Sequence, residues 1–600
     1  MSKSEIRDGM WIDWDVPIPM DDGVVLRADV FRPIGEGKYP VIMSYGPYGK
    51  GLHFAEGYPY QWQHMLDNYP DVFAGTTGKY QNWETVDPER WVPDGYVVVR
   101  VDSRGAGRSP GVLDVWSPRE AQDFYQCIEW AARQPWSNGR VGLAGISYYA
   151  INQWQVAALQ PPHLAAICPW EGAADYYRDM CYHGGIPSMF FWRTWFRAQV
   201  ASVQHGVGVR GRRNPATGIP GVPGTGELVS GPETLTEEEL ARNRVEPAEL
   251  ILQHPLDDEF HRSRSPDWSR VVVPLLSCGN WGGFGLHLRG NTEGYLRAAS
   301  GQKWLEVHCG PHWGEFYTEY GLALMKRFFA RYLKGEENGW EETPPVLLWV
   351  RGADGSHRLR AEREWPIART RWTRLYLDPA SCSLGPGPLA DGGSVEYEAL
   401  GEGVTFLGPP LEEEVEITGP LALRLFISSS TRDADLFVAL RAFSPNLREV
   451  TFYDYLDPHT PLSLGWLRAS HRRLDPELSR EWRPYHSHQV EEPLEPGQVY
   501  EVEVELWPTC VVLPKGYRLA LTIRGKDYEW AGDPTQMGPY PMRGSGPFFH
   551  EEGRPEEVYG GRVRIYGGGG RDSYLLLPVV PPKERDEDTP KVEWLARLVR

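Results

Sequence analysis

One stretch constrains this chain more than any other. The apolar run Val141-Gly142-Leu143-Ala144 reads as a buried strand, Gly145-Ile146-Ser147-Tyr148-Tyr149 follows it, and residues 150–159 read as a helix. A serine on a sharp strand-to-helix turn is a nucleophile elbow, the mark of an α/β-hydrolase sheet. Such a turn is strained, so small residues should flank the serine. Gly145 supplies one, but the position two after the serine is Tyr149. The five-residue pattern is therefore imperfect. The strand before it, the helix after it and Asn138-Gly139 opening the strand carry more of the argument. The competing reading is a buried serine at an ordinary βα turn.

The rest of the chain divides by texture. Residues 1–175 alternate strands (24–31, 39–45, 96–101, 164–168) with helical patterns such as 119–133, the rhythm of a mostly parallel sheet covered by helices. Over 176–255 the rhythm breaks. Phe190-Phe191-Trp192 and Trp195-Phe196 suit a helical cap above a pocket, 218–226 is a Gly/Pro loop, and Thr236-Glu237-Glu238-Glu239 has capping-box spacing. The rhythm resumes over 256–365, with strands at 271–277 and 304–307, as it does when a domain is inserted in a sheet. Over 366–580 helices nearly vanish and short period-two strands such as 421–427 and 500–506 take over, which reads as a jelly-roll β-sandwich. Residues 581–600 form a charged tail in which 594–598 could dock as a short helix. The expected fold class is α/β: an α/β-hydrolase sheet with an inserted helical cap, followed by an all-β jelly roll.

Composition narrows the function classes. The 600 residues carry a net charge of −19, which disfavours a general binder of nucleic acid or anionic membranes. No stretch approaches the ~20 apolar residues of a membrane span, and the N-terminus lacks a secretory apolar region. The seven cysteines are scattered, odd in number and without a C-x-x-C, so buried free thiols in a reducing, cytoplasmic compartment are expected. His486-Ser487-His488 lacks a third ligand nearby and Gly105-Ala106-Gly107 is too short for a dinucleotide loop, so neither metal nor organic cofactor is expected. The expected partner is a small-molecule ester or amide; homo-oligomerisation stays open.

Three further motifs carry a resemblance. Val101-Asp102-Ser103-Arg104-Gly105-Ala106-Gly107-Arg108-Ser109 matches a D-x-R-G-x-G-x-S loop, Gln134-Pro135-Trp136-Ser137-Asn138-Gly139 leads into the elbow, and Gly465-Trp466-Leu467-Arg468 stands with Asp527 in the strand-rich region. With the sheet, cap and sandwich, they make the chain resemble the CocE/NonD hydrolase family of bacterial cocaine esterases, related to X-Pro dipeptidyl peptidases and α-amino-acid ester hydrolases. The resemblance spans residues 15–580. It implies Ser147 as nucleophile, and the Tyr148 backbone N–H and the Tyr48 hydroxyl, in Pro47-Tyr48, as oxyanion donors. The family histidine falls on His312 in His308-Cys309-Gly310-Pro311-His312, with His308 as rival.

The family aspartate falls on Gly282, in Gly279-Asn280-Trp281-Gly282-Gly283-Phe284, so the carboxylate must be missing or come from elsewhere. A triad needs only that some carboxylate orient and charge-stabilise the imidazole. Glu171, in Pro169-Trp170-Glu171-Gly172 after strand 164–168, stands at the C-terminal edge of the sheet and is expected to be that acid. Asp175 reads as structural, and Asp267 precedes its strand at the wrong edge. The expected activity is hydrolysis of carboxylic esters, with amides second, in an apolar pocket lined by Phe190, Phe191, Trp192, Trp195 and Trp281. One alternative is an X-Pro peptidase or α-amino-acid ester hydrolase or acyltransferase, with Asp257-Asp258-Glu259 as an anionic site for a substrate ammonium. Another is a catalytically impaired binding protein using the jelly roll, to which the missing aspartate lends weight.

Overall fold

The computed structural model describes residues 3–211, 213–214, 227–582 and 593–598. The apolar runs form a sheet whose strands are β1 (Met10–Pro19), β2 (Val25–Arg32), β3 (Tyr39–Gly46), β4 (Val97–Asp102), β5 (Ser137–Ile146), β6 (Leu164–Trp170), β7 (Leu275–Asn280), β8 (Lys303–His308), β9 (Val346–Gly352) and β10 (His357–Glu362). They lie in the order β1-β2-β4-β3-β5-β6-β7-β8-β9-β10. The strands from β4 to β9 are mutually parallel, and every residue of β4 and β7 is buried, as expected of strands covered on both faces. The strand order reverses at β3, between β4 and β5. In such sheets ligands bind beyond the carboxyl ends of the strands at the reversal. Tyr48 follows β3 and Ser147 follows β5, so both stand at that crevice.

Helix α1 (Pro118–Ala132) starts at Ser117, whose side chain caps Glu120 N. Helix α2 (Tyr148–Ala158) is buried along its whole length. The segment between β6 and β7 leaves the sheet and carries α3 (Met189–Trp195), α4 (Glu237–Arg242) and α5 (Pro247–Leu252). Thr236 and Glu239 complete the capping box that opens α4. The loop read at 218–226 lies outside the described residues. Helices α6 (Leu288–Arg297) and α7 (Glu319–Phe329) follow β7 and β8.

From Arg371 onward the chain is rich in antiparallel strands. The longest pair, β11 (Val415–Ser429) and β12 (Tyr500–Leu513), sets Leu423 opposite Val504 and Leu425 opposite Val502, with all four in one buried core. Period two alone puts these residues on one face. This region joins the mainly parallel sheet: β12 pairs with β9 through Val511 and Val512. A helix over Glu593–Leu598 packs Trp594 near Trp340. All seven cysteines are unpaired and six are buried. Among the described residues, no helix is long and apolar enough to cross a membrane.

Candidate active site

Ser147 sits between β5 and α2 with φ 58° and ψ −113°, a strained conformation that costs on the order of 1–3 kcal/mol and persists only where its surroundings enforce it. Enforcement comes from backbone hydrogen bonds: Ser147 N donates to Trp170 O and Glu171 O at 3.1 and 3.2 Å, and Ile146 N donates to Glu84 O at 3.0 Å. Tyr149, the residue that spoiled the sequence pattern, is accommodated by two glycines. A Cβ on Gly145 would lie 2.4 Å from Tyr149 Cβ, and one on Gly46 would lie 2.5 Å from its ring. The bulk two after the serine is balanced by its neighbours' lack of side chains.

The serine hydroxyl lies 3.0 Å from His287 Nε2. His287 stands just before α6 and its ring stacks on that of His312, with centroids 5.3 Å apart and planes 6° from parallel. His312 faces carboxylates at both nitrogens: Nδ1 meets Glu171 Oε2 at 2.5 Å and Nε2 meets Glu84 Oε1 at 2.8 Å. Glu171 Oε1 also accepts from His308 Nε2 at 2.8 Å and from Asn280 Nδ2 at 3.2 Å. His308 Nδ1 reaches Glu306 Oε2 at 2.8 Å. Glu84, Glu171, His287, His308 and His312 are all buried.

The fold thus brings Ser147, His312 and Glu171 to one place, with differences from expectation. The serine hydroxyl meets His287, not His312. His308 is a second partner of the acid and does not approach the serine as a rival base. His287 and Glu84 were not anticipated. His287 carries a weak signal, lying five residues past Gly282 in the segment where the family acid was sought; Glu84 lies in a stretch with no periodic pattern.

Charge is distributed unevenly over the cluster. Burial disfavours a charged His312, but Glu171 and Glu84 outweigh it and push its pKa up to about 9. Burial likewise opposes the charge on Glu171, yet His312 and His308 hold its pKa at about 2. Glu84, where burial dominates, rises to about 7. His287 is driven well below the usual imidazole range by burial and by the charge of His312. His287 is therefore the neutral member of the stacked pair and His312 the charged one.

Glu171, His287 and His312 each bring one ligand-type atom within 4.8 Å of the others. Two ligands of one tetrahedral zinc ion stand roughly 3 Å or more apart, since each bond is about 2 Å long. The 2.5 Å contact between Glu171 and His312 is shorter than that and is a close charge-assisted hydrogen bond.

Two donors face the serine region. The Tyr48 hydroxyl accepts from Trp195 Nε1 at 3.0 Å, which leaves its own hydrogen free to donate. The Tyr148 amide is the first N–H of α2, one of the four that no helix satisfies internally. The Tyr148 hydroxyl turns into the core and donates to Glu120 Oε2 at 2.5 Å. Ser147, Tyr48, Glu84, His287 and His312 open on a cavity walled by Tyr58, Trp83, Phe191, Trp195, Tyr455, Met537, Tyr540 and Met542.

The expected pocket is revised in part. Phe191 and Trp195 line the cavity; Phe190, Trp192 and Trp281 do not. Trp192 donates to Met180 O among core aromatics, Trp281 donates to Trp349 O, and Phe190 packs on Phe549. Two of the acids offered as an ammonium site are engaged elsewhere: Asp257 pairs with Arg178 at 2.8 Å, and Asp258 caps its helix and bonds His254. Asp175 pairs with Arg178 and caps its own helix.

The C-terminal region builds part of the site. A Cβ on Gly282 would lie 2.6 Å from Asp454 Cβ, so no aspartate fits there. Asp454 accepts from Gly310 N at 2.7 Å and pairs with Arg351 at 2.5 Å. The next residue, Tyr455, accepts from His312 N at 2.9 Å and donates to Gly310 O at 2.8 Å. The histidine loop is pinned from across the domain boundary.

Comparison with known proteins agrees with this architecture. Residues 22–314 match the model of the X-Pro dipeptidyl-peptidase (S15) family, and residues 338–576 match that of the X-Pro dipeptidyl-peptidase C-terminal non-catalytic domain. The chain is 26% identical to the cocaine esterase of Rhodococcus sp. (strain MB1 Bresler), over 94% of this chain and 98% of that protein. It is similar to the crystal structure of a CocE/NonD family hydrolase from Staphylococcus aureus, with TM-score 0.80 and 34% identity over 95% of this chain and 94% of that one. An α-amino acid ester hydrolase shares the fold at TM-score 0.62 and 18% identity, over 96% of both chains.

Proposed function

The chain belongs to the CocE/NonD hydrolase family, and from that membership we propose that it cleaves carboxylic esters through an acyl-enzyme on Ser147. One observation carries the reading: the serine stands on a strained elbow, its hydroxyl open to an aromatic cavity and on an imidazole, beside a second imidazole held by a buried carboxylate. His312 is the base in this reading, because Glu171 holds its Nδ1 and can stabilise the charge it gains. Among the described residues His287 has no hydrogen-bond partner on Nδ1, and its charged form is disfavoured, so it serves as the resting partner of the hydroxyl. A turn about the Ser147 χ1 bond moves the hydroxyl from one imidazole toward the other.

The steps follow. Ser147 Oγ attacks the ester carbonyl as its proton passes to His312 Nε2. The Tyr48 hydroxyl and Tyr148 amide receive the oxyanion. The His312 proton leaves with the alcohol, and water repeats the sequence to release the acid. No cofactor enters these steps.

The cavity walls favour an ester with an aryl or bulky apolar group. Similarity to a cocaine esterase supports esters ahead of amides. The ammonium-binding alternative loses support because Asp257 and Asp258 are engaged away from the cavity. In domain terms, residues 1–175 and 256–365 form the catalytic unit, 176–255 the cap and 366–580 a jelly-roll sandwich; the antiparallel pairing of β11 and β12 supports the last.

The test is hydrolysis of p-nitrophenyl esters by wild type, Ser147→Ala, His312→Ala and Glu171→Gln, with folding checked by circular dichroism. Ser147→Ala should fall by at least about 10³-fold in kcat, and the other two by at least about 10²-fold. A Ser147→Ala protein that keeps its activity or still reacts with a fluorophosphonate would overturn the reading.

A further inference from the structure

We propose that Glu84 is a positioning residue that masks His312 in the resting enzyme and sets the pH at which this base becomes free. The proposal rests on the reading of His312 as base. An ordinary triad imidazole has a carboxylate on Nδ1 and leaves Nε2 to the nucleophile. In this chain both nitrogens face carboxylates, Glu171 at 2.5 Å and Glu84 at 2.8 Å. An ionised carboxylate only accepts, so while Glu84 and Glu171 are both ionised each nitrogen brings a proton, and His312 then has no lone pair to offer. The serine hydroxyl lies accordingly on His287, the neutral neighbour.

Glu84 is built for this position. Its backbone is held at φ 63°, rare for a residue with a side chain, and such strain concentrates at functional sites. Its carbonyl accepts from Ile146 N, beside the nucleophile. It lines the cavity and is itself buried.

The groups facing the His312–Glu84 contact come from several elements. Glu171 follows β6, His287 precedes α6, and the His308–Glu306 pair of β8 lies behind Glu171. Tyr48, Tyr58, Tyr149, Tyr317 and Tyr455 interact electrostatically with Glu84. These phenols stay neutral, so the local balance on His312 is two carboxylates against one imidazolium.

Unmasking is a proton shift. The Nε2–H bond breaks, its electron pair stays on nitrogen, and the proton goes to Glu84 Oε1 or, as pH rises, to hydroxide. The Nδ1–H stays on Glu171. Nε2 can then take the Ser147 proton as Oγ attacks the carbonyl, and Glu84 forms no bond to substrate.

The sign follows. Removing the Glu84 charge withdraws one of the two carboxylates that hold the imidazolium, so the base is freed at lower pH. The experiment is the pH dependence of fluorophosphonate labelling and of kcat/KM for a p-nitrophenyl ester, in wild type, Glu84→Gln and Glu84→Asp. Ser147→Ala and His312→Ala are the controls. Wild type should rise toward a limb near pH 9, where His312 loses its proton. Glu84→Gln should shift that limb down by at least about one pH unit and be about tenfold or more faster than wild type at pH 7. Glu84→Asp, with its charge on a shorter arm, should fall between.

A folded Glu84→Gln protein with the wild-type limb, or one inactive at every pH, overturns the proposal. If Glu84→Gln does not fold, a wild-type limb in Glu84→Asp overturns it equally. A Ser147→Ala protein that still labels, or an active His312→Ala protein that keeps the limb, defeats the underlying reading instead.

Discussion

At the scale of single residues, Glu171 organises the charge. One carboxylate holds His312 on one oxygen and His308 and Asn280 on the other, and two imidazoles keep it ionised. That explains how a chain with Gly282 at the family's acid position can still charge-stabilise an imidazole. Tyr48 is equally specific: Trp195 donates to its oxygen, so its hydrogen can point only at other acceptors, the developing oxyanion among them. Tyr48→Phe keeps the ring and removes that donor. It should lower kcat for p-nitrophenyl ester hydrolysis by about 10²–10³-fold with KM little changed, the usual cost of losing one oxyanion donor. An unchanged kcat would leave Tyr48 as a wall aromatic. From the sequence, Ser147, His312, Tyr48 and Tyr148 could be named as candidates through the family resemblance, and Glu171 from the strand it follows. Glu84 could not, since nothing near it in sequence points to the serine, and His287 had only its nearness to Gly282.

At the scale of elements, the elbow shows how a local rule is kept by non-local means. A strand-to-helix turn this tight wants small neighbours, and Tyr149 breaks that rule in sequence. The structure meets the steric requirement with Gly145 inside the turn and Gly46 at the end of β3. Gly145→Ala should therefore push a methyl group against Tyr149 and destabilise the protein by about 1–3 kcal/mol, measured as a lower urea midpoint at unchanged m-value. Ser147 labelling should slow in the same variant, because the turn can relieve the clash only by moving the serine. The capping box at Thr236 is the opposite case: both partners lie within one helical turn, and the expected contact forms.

At the scale of the whole molecule, the strand-rich C-terminal region contributes more than support. Asp454 fills the space above Gly282, ties Gly310 and meets Arg351, while Tyr455 holds the His312 backbone. Tyr455, Met537, Tyr540 and Met542 close the cavity. Asp454→Ala should leave secondary structure intact by circular dichroism yet lower kcat for ester hydrolysis by at least about tenfold, because misplacing a catalytic loop by an ångström costs about that or more. Full activity in this variant would mean that the histidine loop holds its own shape. By itself the sequence determined the parallel sheet, the elbow, the break in rhythm that leads to helices α3–α5, and the strands of the C-terminal region. These signals are apolar periods and turn residues, contiguous along the chain. Only the tertiary structure decided which imidazole meets Ser147, which carboxylates meet His312, and why Gly282 has no side chain. Those pairs lie 140, 228 and 141 residues apart for Ser147–His287, Glu84–His312 and Glu171–His312. Contacts at such separations are set by how the sheet, the inserted helices and the C-terminal region pack together, and no local pattern records that packing.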